Sequence, residues 1–303
     1  MTTTTATLVA RLGRRVSPVP AGGIRAITVR SIVRTPRALL GLVMTILVIG
    51  VAVLGAFWTP YGPTQFDAGD PFMTPNPSHP MGTDVYGRDI LSRVMAGAGV
   101  SLTVSAAAVA GALVIGTVLG VAAGYFGGIA DAVLTRVIDI LLAIPGLVMA
   151  LGIVTLLSPS AQSVAIALIA VYSWQFARIV RSSVVSARSR PYVEASRGVG
   201  SSALGIIGRD IFPNLLPVLI VQVTTAFAWG ILDEASIGFL GLGVQPPDPS
   251  WGSLLIEGRE FMYEAPWLAV GAGAVVVVAV LGVTLLGDGL WDSVDPRSGG
   301  GTS

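Results

Sequence analysis

Five long stretches of this 303-residue chain carry no charged side chain: 38–66, 94–130, 140–177, 211–232 and 265–287. A helix needs ~20 apolar residues to cross the hydrocarbon of a bilayer, so each stretch is long enough to span. A backbone inside lipid must satisfy its own polar groups, and helices do so locally. The mean hydropathy of +0.79 and the 12% of charged residues agree with this, since soluble domains carry roughly 25% charge. The chain is therefore expected to be an all-α integral membrane protein.

Composition removes whole classes of chemistry. All 18 basic residues are Arg, and there is no Lys or Cys. Without Lys there is no phosphate-loop lysine and no Schiff base. Without Cys there is no disulfide, thiolate nucleophile or sulfur-ligated metal. The lone His79 cannot build a multi-histidine site, so no metal site is expected. Such a chain is suited to moving something across a membrane rather than reacting with it.

Apolar windows and turn residues predict six spans, over 38–58, within 101–126, and over 132–157, 162–177, 215–232 and 267–286. The turn Ser158-Pro159-Ser160 separates the third from the fourth, and Pro145 is expected to kink the third. The stretch 94–130 would be ~55 Å long as one helix, against ~30 Å of hydrocarbon. It must break or emerge, and Gly97/Gly99 and Gly127/Gly128 are the expected places.

Arg distribution sets the orientation. Arg11, Arg14, Arg15, Arg25, Arg30, Arg34 and Arg37 precede the first span. Arg178, Arg181, Arg188, Arg190, Arg197 and Arg209 lie between the fourth and fifth, and Arg136 and Arg297 fall on the same side. Only Arg88, Arg93 and Arg259 lie opposite, so both termini are expected in the cytoplasm. The first apolar stretch exceeds a signal core of about 7–15 residues and is expected to stay as an uncleaved anchor. Arg25, Arg30, Arg34 and Arg37 read as a topogenic cluster, or alternatively as a basic helix on anionic headgroups. The expected organisation is a basic tail (1–37), a first span (38–58), an external segment (59–97), a core of five spans (98–297) and a short tail (298–303). Within the core, 179–213 forms a cytoplasmic loop.

That loop carries the most informative pattern. From Ser189 to Arg197 it reads as a helix start, with Pro191 in the first turn and Glu194 near the positive end of the dipole. Gly198 and Gly200 break that helix; Ser201 or Ser202 caps a second through Asp210, and Pro213 opens the fifth span. The result is a polar knuckle of two short helices, which suits a partner surface. An ordinary glycine-containing connector is the alternative.

The sequence Glu194-Ala195-Ser196, with Gly200 and Pro213 following, resembles the EAA loop of ABC-importer permeases. Ser196 stands where that pattern has Ala, Phe212 where Leu is usual, and Ile211 comes one residue late, with Asp210 in its place. The resemblance extends over most of the chain. His79-Pro80-Met81-Gly82-Thr83-Asp84 and Gly87-Arg88-Asp89-Ile90-Leu91-Ser92-Arg93 look like the segment before the second span in the dipeptide, oligopeptide and nickel subfamily. The run from Phe239 to Pro247, then Ser250-Trp251-Gly252, resembles its outer loop. Leu286-Gly287-Asp288-Gly289-Leu290 and Asp295-Pro296-Arg297 resemble its C-terminal signature, with Trp291 replacing a common Arg.

This resemblance implies a MetI-like type I importer permease of six transmembrane helices, the C-type member of a heterodimeric pair in a bacterial inner membrane. It implies a second homologous permease, two ABC ATPase subunits and an extracytoplasmic solute-binding protein as partners, besides the lipid bilayer, and no nucleic acid. Tyr192, Glu194, Ala195, Ser196, Arg197, Gly200 and Pro213 would form the ATPase-coupling loop. No cofactor would sit on this chain; ATP and Mg would be bound by the ATPases, and this chain would do no covalent chemistry. Short peptides are the expected cargo, with nickel or another small solute as the alternative. An ion-coupled secondary transporter ranks far behind, because no span shows a charge near its centre and no internal repeat is visible.

Other residues have two readings. Arg136 and Asp139 are expected to pair on one helix face near the cytoplasm, with a gating role as the alternative. Ala112, Gly116, Gly120, Gly124 and Gly128 form a ridge for close helix packing, with sliding of the same face during gating as the alternative. Asp233-Glu234 is expected to end the fifth span at the outer mouth, as a solvated helix end or as a pair greeting a cationic group on the solute path. His79 reads as structural, and Asp84, Arg88 and Asp89 as a local ion-pair network. Trp251 is expected at the membrane interface, after a proline-stiffened connector.

Overall fold

The computed structural model describes residues 36–66 and 68–294. The six Arg from Arg11 to Arg34, the motif Asp295-Pro296-Arg297 and both expected tails lie outside the described residues, apart from Pro36 and Arg37. Among the described residues the regular structure is helical, joined by turns and one isolated bridge between Thr83 and Asp89.

Five helices are long and apolar enough to cross a bilayer. They are α1 (Pro36–Phe57), α2 (Ile90–Phe126), α5 (Ala161–Arg188), α8 (Phe212–Phe239) and α10 (Pro266–Val294). The sixth crossing is a bent pair, α3 (Gly128–Leu142) and α4 (Gly146–Leu157), whose axes turn by 89°. Pro145 therefore does more than kink the third span. It has no N–H to donate and sits at the cap before α4, where its extended backbone (ψ 125°) breaks the helix.

The long uncharged stretch behaves differently at its two ends. Gly127 and Gly128 both take positive φ (67° and 65°) and end α2, as the pattern predicts. Gly97 and Gly99 do not break it: α2 is one helix of 37 residues, ~55 Å long. The helix emerges on the outer side instead. Gly97 serves packing, because a Cβ there would lie 3.2–3.3 Å from the Ser250 backbone.

α2 and α5 run parallel and pack along the small-residue ridge. A Cβ at Gly116 would overlap Phe176 and Ser173, one at Gly120 would meet Ala177 and Val180, and one at Gly124 would meet Val184 and Arg181. Gly128 lies beyond the helix end and has open space around it. Ala108 and Ala112 continue the ridge into a buried core with Leu168, Val171 and Phe176. α1 packs on α10, where Gly41, Gly282 and Gly289 leave no room for side chains against the facing helix.

These contacts fix the order of crossings. Gly289 near the end of α10 abuts Ala38 at the start of α1, so those two ends share a face. Ala161, opening α5, shares a cavity with Ala56, Ala96 and Gly99 from the outer ends of α1 and α2. At the other end Arg188 of α5 donates to the Tyr125 carbonyl at 3.0 Å, closing the cytoplasmic face. The bent pair therefore crosses from the glycine turn back to the outside.

Between α8 and α10 stands α9 (Trp251–Glu260), a short helix that the sequence pattern did not predict. It re-enters the bundle from outside. Its first residue, Trp251, is fully buried, and the indole N–H donates to the Val94 carbonyl at 3.2 Å. The expected interfacial Trp is thus a core residue, held between α2, α8 and α10.

Candidate functional site

The cytoplasmic knuckle is built as α6 (Pro191–Gly198) and α7 (Ala203–Ile206). Pro191 opens α6, and Glu194 lies in its first turn, where a negative charge suits the helix dipole. Gly200 takes φ 80°, which a side chain would strain, and Ser202 caps α7 by accepting from the Gly205 N–H at 3.2 Å. One side chain, Val193, anchors α6: it is fully buried with Val184, Ile206 and Ile211. Tyr192, Glu194, Ala195, Arg197 and Gly200 face water, while Ser196 is half-buried. Arg197 lies over the Tyr125 ring at 5.5 Å, tying the knuckle to the end of α2. Val199 and Leu204 present 83% and 81% of their surface, an apolar patch on an otherwise polar protrusion.

The second knuckle helix does not stop at Asp210. It passes through a π-helical turn, Ile207–Ile211, directly into α8, so 203–239 forms one continuous span. A π turn holds one residue more than an α turn. This accounts physically for Ile211 arriving one residue late. The Phe212 N–H reaches back to the Ile207 carbonyl, and Pro213, just inside α8, has no N–H to give. Asn214 stitches the region by donating to the Asp210 carbonyl at 2.6 Å and the Tyr192 hydroxyl at 3.2 Å. Asn214 gave no signal in the sequence, because the pairing joins two elements through side-chain geometry.

Arg136 and Asp139 do not pair with each other. Asp139 accepts from Arg178 of α5 at 3.1 Å, and Asp131 is gripped by both arms of Arg181, with Nη2 at 2.8 Å. Cross-helix pairing wins because α5 lies alongside α3 and its Arg side chains reach the acids of its neighbour. Asp131, Asp139 and Arg181, with Arg136, line a cytoplasmic-side cleft.

Asp233 and Glu234 do not end the fifth span. α8 continues to Phe239, with Glu234 buried and Asp233 half-buried along it. The Asp233 carboxylate accepts from the Tyr172 hydroxyl at 2.7 Å. Glu234 is fully buried and faces α9 and Ser101 rather than an open path. The outer loop and α9 fold back over this position, which is why the helix end is not solvated here.

The outer charges form a larger network than the sequence pattern indicated. Asp84 receives Arg88 Nε and Arg93 Nη1, both at 2.6 Å. Glu257 of α9 takes Arg93 in a two-pronged pair at 2.5 and 2.7 Å and Arg88 at 3.4 Å. Arg88 also stacks on Tyr86 at 4.8 Å. Asp89 stands apart from this group: it caps α2 through the Ser92 N–H at 2.8 Å and holds His79 Nδ1 at 2.9 Å. His79 is buried and stacked on Tyr61, in keeping with a structural role. Glu257 and Arg93 are 164 residues apart, so spacing alone could not have joined them.

Residues 116–299 match the family of binding-protein-dependent transport system inner membrane components. The chain belongs to this family. It is a multi-pass protein of the inner membrane, and such systems work with a binding protein and an ATPase. The dipeptide transport system permease of Alkalihalophilus pseudofirmus is 40% identical over 86% of both chains. That of Escherichia coli is also 40% identical, over 87% of this chain and 90% of its own. A putative peptide transport system permease of Brucella suis is 39% identical over 89% of this chain and 91% of its own. Among solved structures, the inward-facing MetNI methionine ABC transporter matches with a TM-score of 0.56 and 19% identity. That match covers 67% of this chain and 96% of the other, and it shows the fold of a type I importer permease.

Proposed function

We propose that this binding-protein-dependent permease imports short peptides, pairing with a second homologous permease and two ABC ATPase subunits and receiving cargo from an extracytoplasmic binding protein. The knuckle 191–206 docks on an ATPase, and its movement enters the bundle through the unbroken helix 203–239. The chain itself catalyses no reaction and holds no cofactor; ATP and Mg reside on the ATPases. The observation that carries this reading is the knuckle: a polar protrusion with exposed Val199 and Leu204, anchored by Val193 and continuous with a span. Exposed apolar groups on such a protrusion suit burial against a partner. The dipeptide and peptide assignments of the full-length relatives support peptide as cargo.

The test is purification of the tagged chain in mild detergent, identification of what comes with it, and reconstitution into liposomes with the recovered binding protein. Recovery of a second permease and phosphate-loop ATPases, with ATP-dependent dipeptide uptake, is the expected result. A chain that purifies alone and transports under an ion gradient would overturn it.

A further inference from the structure

Helix α9 uses its two faces differently. Trp251 and Leu254 are fully buried, and a Cβ at Gly258 would overlap Ala269 of α10, so these residues form the core face. Ser253, Ile256, Glu257 and Glu260 follow at i, i+3, i+4 and i+7, which places them together on another face. That face lines an outer cavity of about 350 Å³, shared with Tyr86 and Arg88 from the turn before α2 and with Gln245 from the outer loop. Clefts that take small molecules begin near about 300 Å³ and combine apolar walls with a few convergent polar groups. Tyr86, Ile256 and Phe261 supply apolar wall here.

Three polar side chains on the cavity have bonding capacity left over. Arg88 is 4% exposed, and its charge is only partly met. Nε gives a short bond to Asp84 at 2.6 Å, while Nη2 reaches Glu257 only at 3.4 Å. Charge-assisted bonds of this kind are about 2.7–2.9 Å long. Arg93 holds both Glu257 oxygens, which is why Arg88 receives so little. Arg88 Nη1 has no hydrogen-bond partner among the described residues, and it is not sealed from the cavity as the unpaired Arg93 Nε is. The two Nη atoms of a guanidinium form the fork that receives a carboxylate. Gln245 Nε2 donates to the Gly241 and Gly243 carbonyls at 3.4 and 3.0 Å, which leaves Oε1 to accept. Glu260 is exposed, and its carboxylate has no ion pair or hydrogen bond among the described residues.

We propose that this cavity is a binding site for a small zwitterion, an amino acid or a short peptide. The ligand's carboxylate lies on the Arg88 fork, and its ammonium meets Glu260 and Gln245 Oε1. Opposite charges on one cavity select such a ligand, since Glu260 repels a simple anion and Arg88 a simple cation. Taking a peptide as the natural occupant rests on the import reading above; the zwitterion chemistry does not.

The experiment is equilibrium dialysis of the purified full-length chain, with whatever subunits accompany it, against radiolabelled dialanine. Binding protein and nucleotide are left out, and alanine and trialanine compete to size the occupant. Saturable binding is expected. Dialanine amide loses the contact with Arg88 and should compete about tenfold more weakly, as for a hydrogen bond to a buried charge. Glu260→Gln should weaken dialanine about fivefold, the upper range for an exposed pair, and leave N-acetyl-dialanine unchanged. Loss of fold would weaken both probes alike. Ile256→Trp fills the cavity and should abolish binding; if it does not assemble, the Glu260→Gln pattern decides. No saturable binding of alanine, dialanine or trialanine at millimolar concentration would overturn the site. So would binding that survives both substitutions unchanged, which would place the ligand elsewhere. A binding protein that docks on the wild type but not on Ile256→Trp, with no dialanine bound, would overturn it by making the cavity a protein contact. Dialanine uptake with the binding protein is measured alongside. Its absence with dialanine binding intact would overturn the import reading and leave the site standing.

Discussion

At the cytoplasmic end the knuckle leaves most of its polar side chains in water and commits two residues, Val193 and Ile206, to the core. At the outer end the reverse holds. Asp84, Arg88, Asp89 and Arg93 are buried, and Glu257 reaches them from a helix that re-enters the bundle. The first arrangement suits a surface that must detach from its own protein and follow a partner. The second ties the segment between the first two spans to one between the last two, joining the outer face through buried ion pairs. Buried charges tolerate no loss of a partner, whereas exposed ones do. The two ends should therefore fail in different ways: the outer end by unfolding, the inner end by uncoupling.

The largest effect should come from the knuckle, on transport alone. Glu194→Arg reverses a charge in the first turn of α6, and Gly200→Pro forces φ to ≈ −65° where the chain holds 80°. Both should reduce dipeptide uptake to background while membrane insertion and yield stay normal. Uptake at wild-type levels with either variant would remove the contrast, since the inner end would then be an ordinary connector.

Next comes the outer network, on stability. Glu257→Gln takes the carboxylate away from Arg93, whose side chain is 2% exposed, and leaves two guanidiniums to share Asp84. Stranding a buried charge costs about 3–5 kcal/mol. The detergent-purified chain should show the largest fall in melting temperature among the variants discussed here. An unchanged melting temperature would mean that the outer face is no more locked than the inner one.

The ridge between the two ends should give an intermediate effect. A side chain at Gly116 overlaps Phe176 and Ser173, and Gly116→Val should cost about 1–3 kcal/mol by overpacking. Gly128→Ala lies off the ridge, with nothing within 4 Å, but at φ 65°. Its penalty is backbone strain of about 1–2 kcal/mol rather than collision. Comparing the two melting temperatures, with α2–α5 cysteine cross-linking as a second readout, separates packing from turn geometry: only Gly116→Val should reduce the cross-link.

How much of this was legible in the sequence follows the same divide. Six crossings, the Gly127/Gly128 turn, the ridge and the knuckle are short-range patterns, set by charge-free length, helical spacing and capping chemistry. The features that escaped are all long-range. Trp251 looks interfacial until α9 is known to dip inward, and Asp233-Glu234 looks terminal until the outer loop is known to cover it. Arg136 and Asp139 look paired until α5 brings Arg178 and Arg181 alongside. Gly97 shows the limit most clearly, since a glycine in an overlong apolar stretch suits a break as well as it suits close packing, and only the position of Ser250 decides. The π turn lies between these cases. Its extra residue is visible as the late Ile211, but that it winds into the helix rather than ending it depends on Pro213 and Asn214 together.

The smallest effect tests whether the knuckle is stiff within itself. The Tyr192 hydroxyl meets Asn214 Nδ2 at 3.2 Å, on an exposed surface, and is the side-chain hydrogen bond between α6 and α8. Tyr192→Phe keeps the ring and removes that bond, which is worth about 0.5–1.5 kcal/mol. The buried contacts of Val193 with Ile206 and Ile211 remain, so the fold and the melting temperature should not change measurably. If α6 drives α8 as a rigid unit, the lost bond should lower the uptake rate by only about twofold, a factor within the reach of a single hydrogen bond. A loss as deep as that of Glu194→Arg would mean that Tyr192 and Asn214, rather than the Val193 anchor, carry movement into the span. The comparison would then shift, with the inner end depending on one exposed hydrogen bond as strictly as the outer end depends on its buried charges.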